Sequence, residues 1–242
     1  MKIKTRLFIN APLKENSSQK IGGASFHHLS VLRIKMLDYI SVFNASGEFL
    51  AQVSAMGKKE LTVNVLQLIK APALKNCHLH LAYAPLKKDA NDFVLEKSVE
   101  LGVHEITQVI TAFTTNKPVD IEKSSQKLIL SSQQCERLDV PVINHSLNLE
   151  KFLDKYKNQQ IFWLYERSNG ITMSQYLLNN KETHNKEIIF LVGPEGGFSS
   201  DEVNFLQSID YVKQVHFNTN ILRAETACLA ALINFQIISC NF

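Results

Sequence analysis

The chain is poor in arginine and has no long apolar run. Of its 26 basic residues only five are Arg: Arg6, Arg33, Arg137, Arg167 and Arg223. Arg offers phosphates and carbonyl oxygens a planar fork that Lys cannot imitate. Each of the five is therefore a candidate for a geometric role, with placement by chance as the alternative. No apolar stretch approaches the roughly eighteen residues that cross a bilayer. The start, Met1-Lys2-Ile3-Lys4-Thr5-Arg6, carries charge with no apolar segment behind it. Neither a membrane span nor a secretory signal is expected. Cys77, Cys135, Cys228 and Cys240 lie far apart, with no Cys-x-x-Cys. That spacing predicts reduced thiols in a cytoplasmic protein. The phosphate loop ending in Gly-Lys-Ser/Thr is absent, as is Gly-x-Gly-x-x-Gly. There is no internal repeat and no low-complexity segment.

What is present is the composition of a soluble globular protein, 45% hydrophobic and 20% charged over 242 residues. That length suits one large domain or two small ones. A net charge of +3 permits RNA binding without requiring it.

The most informative stretch is Leu191-Val192-Gly193-Pro194-Glu195-Gly196-Gly197-Phe198-Ser199. Before it, Glu187 to Val192 reads as a strand buried on both faces. After it, Ser199 with Glu202 three positions on forms a capping box, so a helix should begin there. The glycines and Pro194 between them demand a tight turn. Ligands of open α/β sheets bind in such turns, at the carboxyl ends of strands. Glu195 at the centre would repel a bare phosphate and suits a ligand with positive charge or hydrogen-bond donors. A purely structural turn is the competing reading. A second stretch repeats the pattern: an apolar strand, Val212 to Phe217, enters a polar turn and then a helix.

Together Leu-Val-Gly-Pro-Glu-Gly-Gly-Phe-Ser and Ile221-Leu222-Arg223-Ala224-Glu225-Thr226-Ala227 closely resemble the bacterial family that methylates N3 of a uridine in small-subunit (16S) ribosomal RNA. That family belongs to the SPOUT superfamily, which uses S-adenosylmethionine. The resemblance continues through Lys97-Ser98-Val99-Glu100-Leu101-Gly102-Val103, through Gln133-Gln134-Cys135-Glu136-Arg137 with Val140-Pro141, and through Arg6-Leu7-Phe8 and His28-Leu29-Ser30-Val31-Leu32-Arg33.

Residues 1–70 read as a small β domain. Tyr39 to Phe43 and Phe49 to Val53 are strand-like, and Leu61, Val63 and Val65 alternate with polar residues. Successive hairpins suggest a small barrel, and the resemblance implies a PUA-like RNA-binding barrel. His27 and His28 have no carboxylate or Cys at ligand spacing, so a packing or surface role is expected. Ala71-Pro72-Ala73 is a plausible linker to a second domain at 74–242.

There the pattern alternates: strand Leu79 to Ala84, helix Ala90 to Leu101, strand Ile106 to Ile110, helices Ser124 to Glu136 and Asn148 to Tyr156, strand Ile161 to Tyr165, helix Thr172 to Leu178. Cys77-His78-Leu79-His80 reads as strand alternation, and no metal site is expected. Lys181 to Lys186 is a polar loop. The alternation implies an α/β domain with a largely parallel sheet and helices on both faces. The last helix, Glu225 to Ser239, is apolar on most sides and so is central or covered by a partner.

The resemblance further implies a C-terminal trefoil knot, a homodimer formed through the last helix, and a cofactor held by three loops. Those loops would lie near Leu164 to Glu166, Gly193 to Gly197 and Phe217 to Arg223. The residues matched to S-adenosylmethionine binding are Leu164, Glu166, Leu191, Val192, Gly193, Pro194, Glu195, Gly196, Gly197, Phe217, Asn218, Ile221, Leu222, Arg223, Thr226 and Ala227.

Arg223 is the candidate cation for the reacting base, with pairing to Glu225 or Glu195 as the alternative. Glu225 is a candidate base, with helix capping as the alternative. Arg6, Arg33, Lys87 and Arg137 are candidate RNA contacts, each Arg with a surface salt bridge as the alternative. The chain departs from the family in three places. Phe217-Asn218-Thr219-Asn220 stands for its Leu-Gly-x-Arg, Ala112-Phe113-Thr114 for its Glu-Arg-Ser, and Ser131-Ser132-Gln133-Gln134 for its Glu-Ala-x-Glu-Gln. A ribose 2′-O methyltransferase and a non-catalytic ribosome-assembly protein are the rival readings.

Overall fold

The computed structural model describes residues 2–72, 77–166, 171–180, 187–217 and 220–239. The chain divides into two compact units. The first comprises Met1–Leu74 with Ser132–Val140, and the second Lys75–Ser131 with Pro141–Phe242.

The first unit contains β1 (Ile3–Phe8), β2 (Ser17–Gly22), α1 (Gly23–Val31), β3 (Tyr39–Asn44), β4 (Gly47–Met56) and β5 (Glu60–Lys70). They form one sheet in the order β1-β3-β4-β5-β2. Only β1 with β3 is parallel. Leu7, Ile21, Leu29, Ile40, Val42, Val53 and Val63 fill its core. The three strands expected from alternation are present, each longer than expected. The helix α1 was not readable as one. Leu29 is its sole buried residue, so there is no apolar stripe to find.

Arg6 is bound inside this unit. Its Nε donates to Glu48 Oε2 at 3.0 Å, Nη1 to the Ser132 carbonyl and Nη2 to the Arg137 carbonyl, both at 2.8 Å. The guanidinium lies 3.4 Å over the Phe43 ring. These contacts explain why residues 132–140 group with the N-terminal strands. Arg137 in turn forks onto Asp139 through Nε at 3.0 Å and Nη2 at 2.7 Å. The side chains of Arg6 and Arg137 are only 11% and 12% exposed. The expectation that Arg6 and Arg137 meet RNA phosphates is corrected: both forks are occupied by protein acceptors.

The rest of the chain runs β6 (His78–Tyr83), α2 (Lys88–Glu100), β7 (Glu105–Ile110), α3 (Ile121–Gln134), β8 (Val142–Ile143), β9 (Leu147–Asn148), α4 (Leu149–Lys155), β10 (Gln160–Leu164), α5 (Met173–Asn179), β11 (Glu187–Val192), α6 (Ser200–Gln207), β12 (Val212–Val215) and α7 (Ala224–Ser239), all in the second unit save residues 132–134 of α3. The sheet order is β12-β10-β11-β6-β7-β8, with β9 also on β7. Every pairing is parallel.

Both faces are covered. Phe162 pairs in register with Phe190; on their face Phe162 meets Tyr176 of α5 and Phe190 meets Phe235 of α7. Trp163 and Leu191, one residue on, pack on the opposite face with Phe152 of α4 and Leu206 of α6. Strands buried on two faces account for the near-continuous apolar runs in the sequence. The strand expected to reach Phe217 stops at Val215, because His216 makes only an isolated bridge to Thr172. The loop at 181–186 and Arg167 lie outside the described residues.

Candidate functional site

The site is built at the carboxyl ends of β10, β11 and β12. After Val192 the chain turns sharply, and the Pro194 carbonyl accepts the Gly197 N–H at 2.8 Å. Gly197 sits at φ +73°, a left-handed conformation that favours glycine. The helix α6 then begins with the expected capping box. Ser199 Oγ accepts the Glu202 N–H at 3.2 Å, and Glu202 Oε2 accepts the Ser199 N–H at 2.9 Å. The other carboxylate oxygen of Glu202 accepts the Ala112 N–H at 2.8 Å. One side chain thus starts the helix and fastens the loop after β7 beside the glycine turn.

The remaining glycines make room. A Cβ on Gly193 would strike the Phe198 ring, and one on Gly196 would stand 3.2 Å from Cβ of Phe113. Phe198 packs edge-on against Trp163 at 5.5 Å, and Trp163 stacks on Tyr165 at 4.6 Å. An aromatic row therefore braces the turn after β11 against the end of β10.

The turn after β10 is tied to β12 by the Tyr165 N–H, which donates to the Val215 carbonyl at 3.0 Å. The turn after β12 ends where the Arg223 carbonyl accepts the Ala227 N–H at 2.8 Å, opening α7. The three turns enclose a cavity of about 260 Å³.

Most of the residues matched to cofactor binding line it: Leu164 and Glu166 from the first turn; Val192, Gly193, Pro194, Glu195 and Gly197 from the second; Phe217, Ile221, Leu222 and Arg223 from the third; and Ala227 from α7. Four candidates are placed otherwise. Leu191 is fully buried within the sheet, and Gly196 faces a neighbouring cavity. Glu225 and Thr226 are not among the lining residues. Glu225 instead occupies the first turn of α7, where a carboxylate complements the helix dipole. Asn218 lies outside the described residues.

The cavity also takes in Tyr165, inside the first expected loop though not singled out, and Phe198 and His216, which sequence reasoning missed. Phe198 stood inside the quoted motif, and its size beside three glycines was the available signal.

The charge pattern is simple. Arg223 is exposed, and among the described residues its guanidinium has no hydrogen-bond or ion-pair partner. The alternative role of bracing Glu195 or Glu225 is therefore not seen. Glu166 and Glu195 line the same cavity, so two carboxylates and one guanidinium surround a largely apolar space. Arg33 is exposed at φ +54°. Lys87 is exposed at the N-cap of α2.

One grouping that could hold a cation exists among the described residues, at the opposite, amino ends of the strands. His78, Glu105 and Glu187 bring ligand atoms within 4.8 Å of one another. Each already has protein partners: Glu187 takes His78 and Gln159, and Glu105 takes Tyr156 and Asn144. Sequence spacing gave no hint of it, because parallel pairing alone aligns these three strand ends.

Comparison with known proteins points one way. A family profile described as an RNA methyltransferase domain matches residues 73–236, and one described as an RNA methyltransferase PUA domain matches residues 21–66. The ribosomal RNA small subunit methyltransferase E of Rickettsia conorii is 35% identical over 238 residues, covering 96% of this chain and 95% of its own. The protein of that name from Buchnera aphidicola subsp. Acyrthosiphon pisum is 25% identical, covering 98% and 94%. Among solved structures, a ribosomal RNA small subunit methyltransferase E from Neisseria gonorrhoeae bound to S-adenosyl methionine superposes with a TM-score of 0.81 at 24% identity, covering 97% of each chain. At that identity the likeness speaks for the fold.

Proposed function

We propose a reaction from one premise: the chain belongs to the RNA methyltransferase family whose relatives are named ribosomal RNA small subunit methyltransferase E. It transfers a methyl group from S-adenosylmethionine to small-subunit ribosomal RNA, and the acceptor is N3 of a uridine. The observation that carries this reading is the meeting of three strand-end turns on one cavity, with Gly193 leaving the space that the lining ring of Phe198 takes up.

The residues fit such a donor. A ligand with a sulfonium, an ammonium and a carboxylate would find two carboxylates, Glu166 and Glu195, and one guanidinium, Arg223, in the lining. Leu164, Val192, Gly193, Ile221 and Leu222 would offer its adenosyl part apolar and backbone surfaces. The donor supplies a methyl group on a sulfonium that departs as a neutral thioether, so no acid is needed at the leaving group.

The demand falls on the acceptor. Uridine N3 carries a proton and titrates well above neutrality. Once the proton is removed, the charge spreads to O2 and O4. Arg223, exposed at the cavity edge, would present two N–H donors to such oxygens, an electrostatic contribution of about 10²–10³-fold. A proton acceptor contributes about 10²–10⁴-fold. It is drawn from Glu166 and Glu195 in preference to Glu225, which does not line the cavity.

The finer features of the family belong to the same reading: the five-stranded sheet as a PUA-like barrel at 1–70, the methyltransferase domain at 74–242 with its knot, a homodimer through α7, and a cytoplasmic location. Arg33 and Lys87 are the remaining candidates for RNA phosphates. No helix among the described residues is long and apolar enough to cross a membrane.

The test is to give the protein methyl-labelled donor and small-subunit particles from cells that lack the gene, then map the label. Label on N3 of one uridine supports the reading. Label on a ribose favours the 2′-O enzyme, and no label with retained RNA binding favours the assembly protein.

A further inference from the structure

A second cavity, of about 350 Å³, adjoins the first across the glycine turn. Its lining comes from two places only: the loop 112–116 after β7, and Pro194, Glu195 and Gly196. Pro194 and Glu195 line both cavities. We propose that this cleft receives the unpaired pyrimidine base of the RNA acceptor, with the ring of Phe113 as its stacking face. The proposal rests on the methyl-transfer reading above and names where the acceptor sits.

Three observations carry it. First, N3 lies on the pairing edge of uracil, so it is reachable only when the base leaves its helix. Enzymes that modify bases take the base into a pocket of their own. That pocket must open onto the donor's cavity, and this cleft shares a wall with it.

Second, Phe113 is 49% exposed on a loop that is otherwise held firmly. Thr111 and Thr114 cross-bond, with the Thr111 N–H on Thr114 Oγ1 at 2.9 Å and the Thr114 N–H on the Thr111 carbonyl at 3.1 Å. Glu202 holds the Ala112 N–H. A large apolar ring presented to water on a pinned loop is poised for an incoming flat partner; single-strand binders stack bases on such rings.

Third, Gly196 is the residue that lets the loop and the turn close together. A Cβ there would press to 3.2 Å on Cβ of Phe113. The polar groups of Thr115, Asn116 and Glu195 line the same cleft, so a base on Phe113 would have hydrogen-bonding groups beside it.

The experiment uses small-subunit particles whose RNA carries some 5-iodouridine, which crosslinks to a stacked ring under ultraviolet light. The protein is irradiated with the particles and the crosslinked peptide is identified by mass spectrometry. In parallel, kcat/KM for unsubstituted particles is measured for Phe113→Ala and Phe113→Trp, and donor affinity by calorimetry. The proposal expects a crosslink at Phe113. It expects kcat/KM to fall about tenfold or more in Phe113→Ala, to be largely kept in Phe113→Trp, and donor affinity to be unchanged in both. A crosslink mapped away from residues 112–116, or a Phe113→Ala variant that methylates as well as the parent, overturns it. If the parent protein methylates no base at all, the reading under Proposed function falls, and the crosslink decides the cleft by itself.

Discussion

Gly193 and the ring of Phe198 exclude each other: a single methyl group on the glycine would occupy the space the ring fills. The ring is itself held edge-on against Trp163 at 5.5 Å. Gly193→Ala should therefore push Phe198 off its seat and into the donor's cavity. Overpacking of this kind costs about 1–3 kcal/mol of stability, so the unfolding midpoint should fall together with the donor affinity. Adding Phe198→Leu to Gly193→Ala should recover part of the loss, a coupling that a double-mutant cycle isolates. Additive losses would show that the two residues do not share the space.

Arg223 lines the cavity and is exposed, and its guanidinium has no partner among the described residues. Arg223→Ala should keep donor affinity within a few-fold and lower turnover by about 10²–10³. Arg223→Lys should recover little, because a point charge cannot replace a fork. Loss of donor binding by calorimetry in Arg223→Ala would make the residue a structural brace instead.

Arg6 predicts the opposite pattern. Arg6→Ala strands the Glu48 carboxylate, whose side chain is 11% exposed, and frees two carbonyls. Breaking a buried ion pair from one side costs about 3–5 kcal/mol. The urea midpoint should fall sharply. If stability held and only RNA affinity dropped, Arg6 would be an RNA contact after all.

His80 gives a pH signature. It is fully buried with Nε2 2.9 Å from Thr107 Oγ1, and burial, partly opposed by the charge of Glu105, pushes its pKa down to about 4. The unfolded imidazole titrates near 6.5. Between those values the unfolded chain binds the extra proton. The stability contribution is thus complete above about pH 6.5 and lost as the pH falls to about 4, by about 3 kcal/mol in all. Denaturant midpoints across that range should fall in the parent and fall less in His80→Asn. Equal slopes would assign the loss to other groups.

The parts of the molecule legible in the sequence are those that local chemistry decides. Ser199 and Glu202 announce a helix start because both halves of the capping box lie within one turn. Glu187 to Val192 announces a two-faced strand because each of its residues must be apolar or at an end. The site was legible in its two turns, and the family resemblance supplied their meeting. What could not be read depends on partners far along the chain. The occupied fork of Arg6 needs carbonyls at Ser132 and Arg137. The exclusion of Leu191 from the cavity depends on which way a strand residue faces once its neighbours are in place. The second reach of Glu202, to Ala112, spans ninety positions of sequence.

The central claim is that the turns after β10, β11 and β12 together hold the methyl donor, and a crystal structure of the protein soaked with S-adenosylhomocysteine tests it most directly. Density for the adenosyl group is expected between Gly193 and Leu222, with the Arg223 side chain left exposed to meet an acceptor. Density at any other place on the molecule would contradict it.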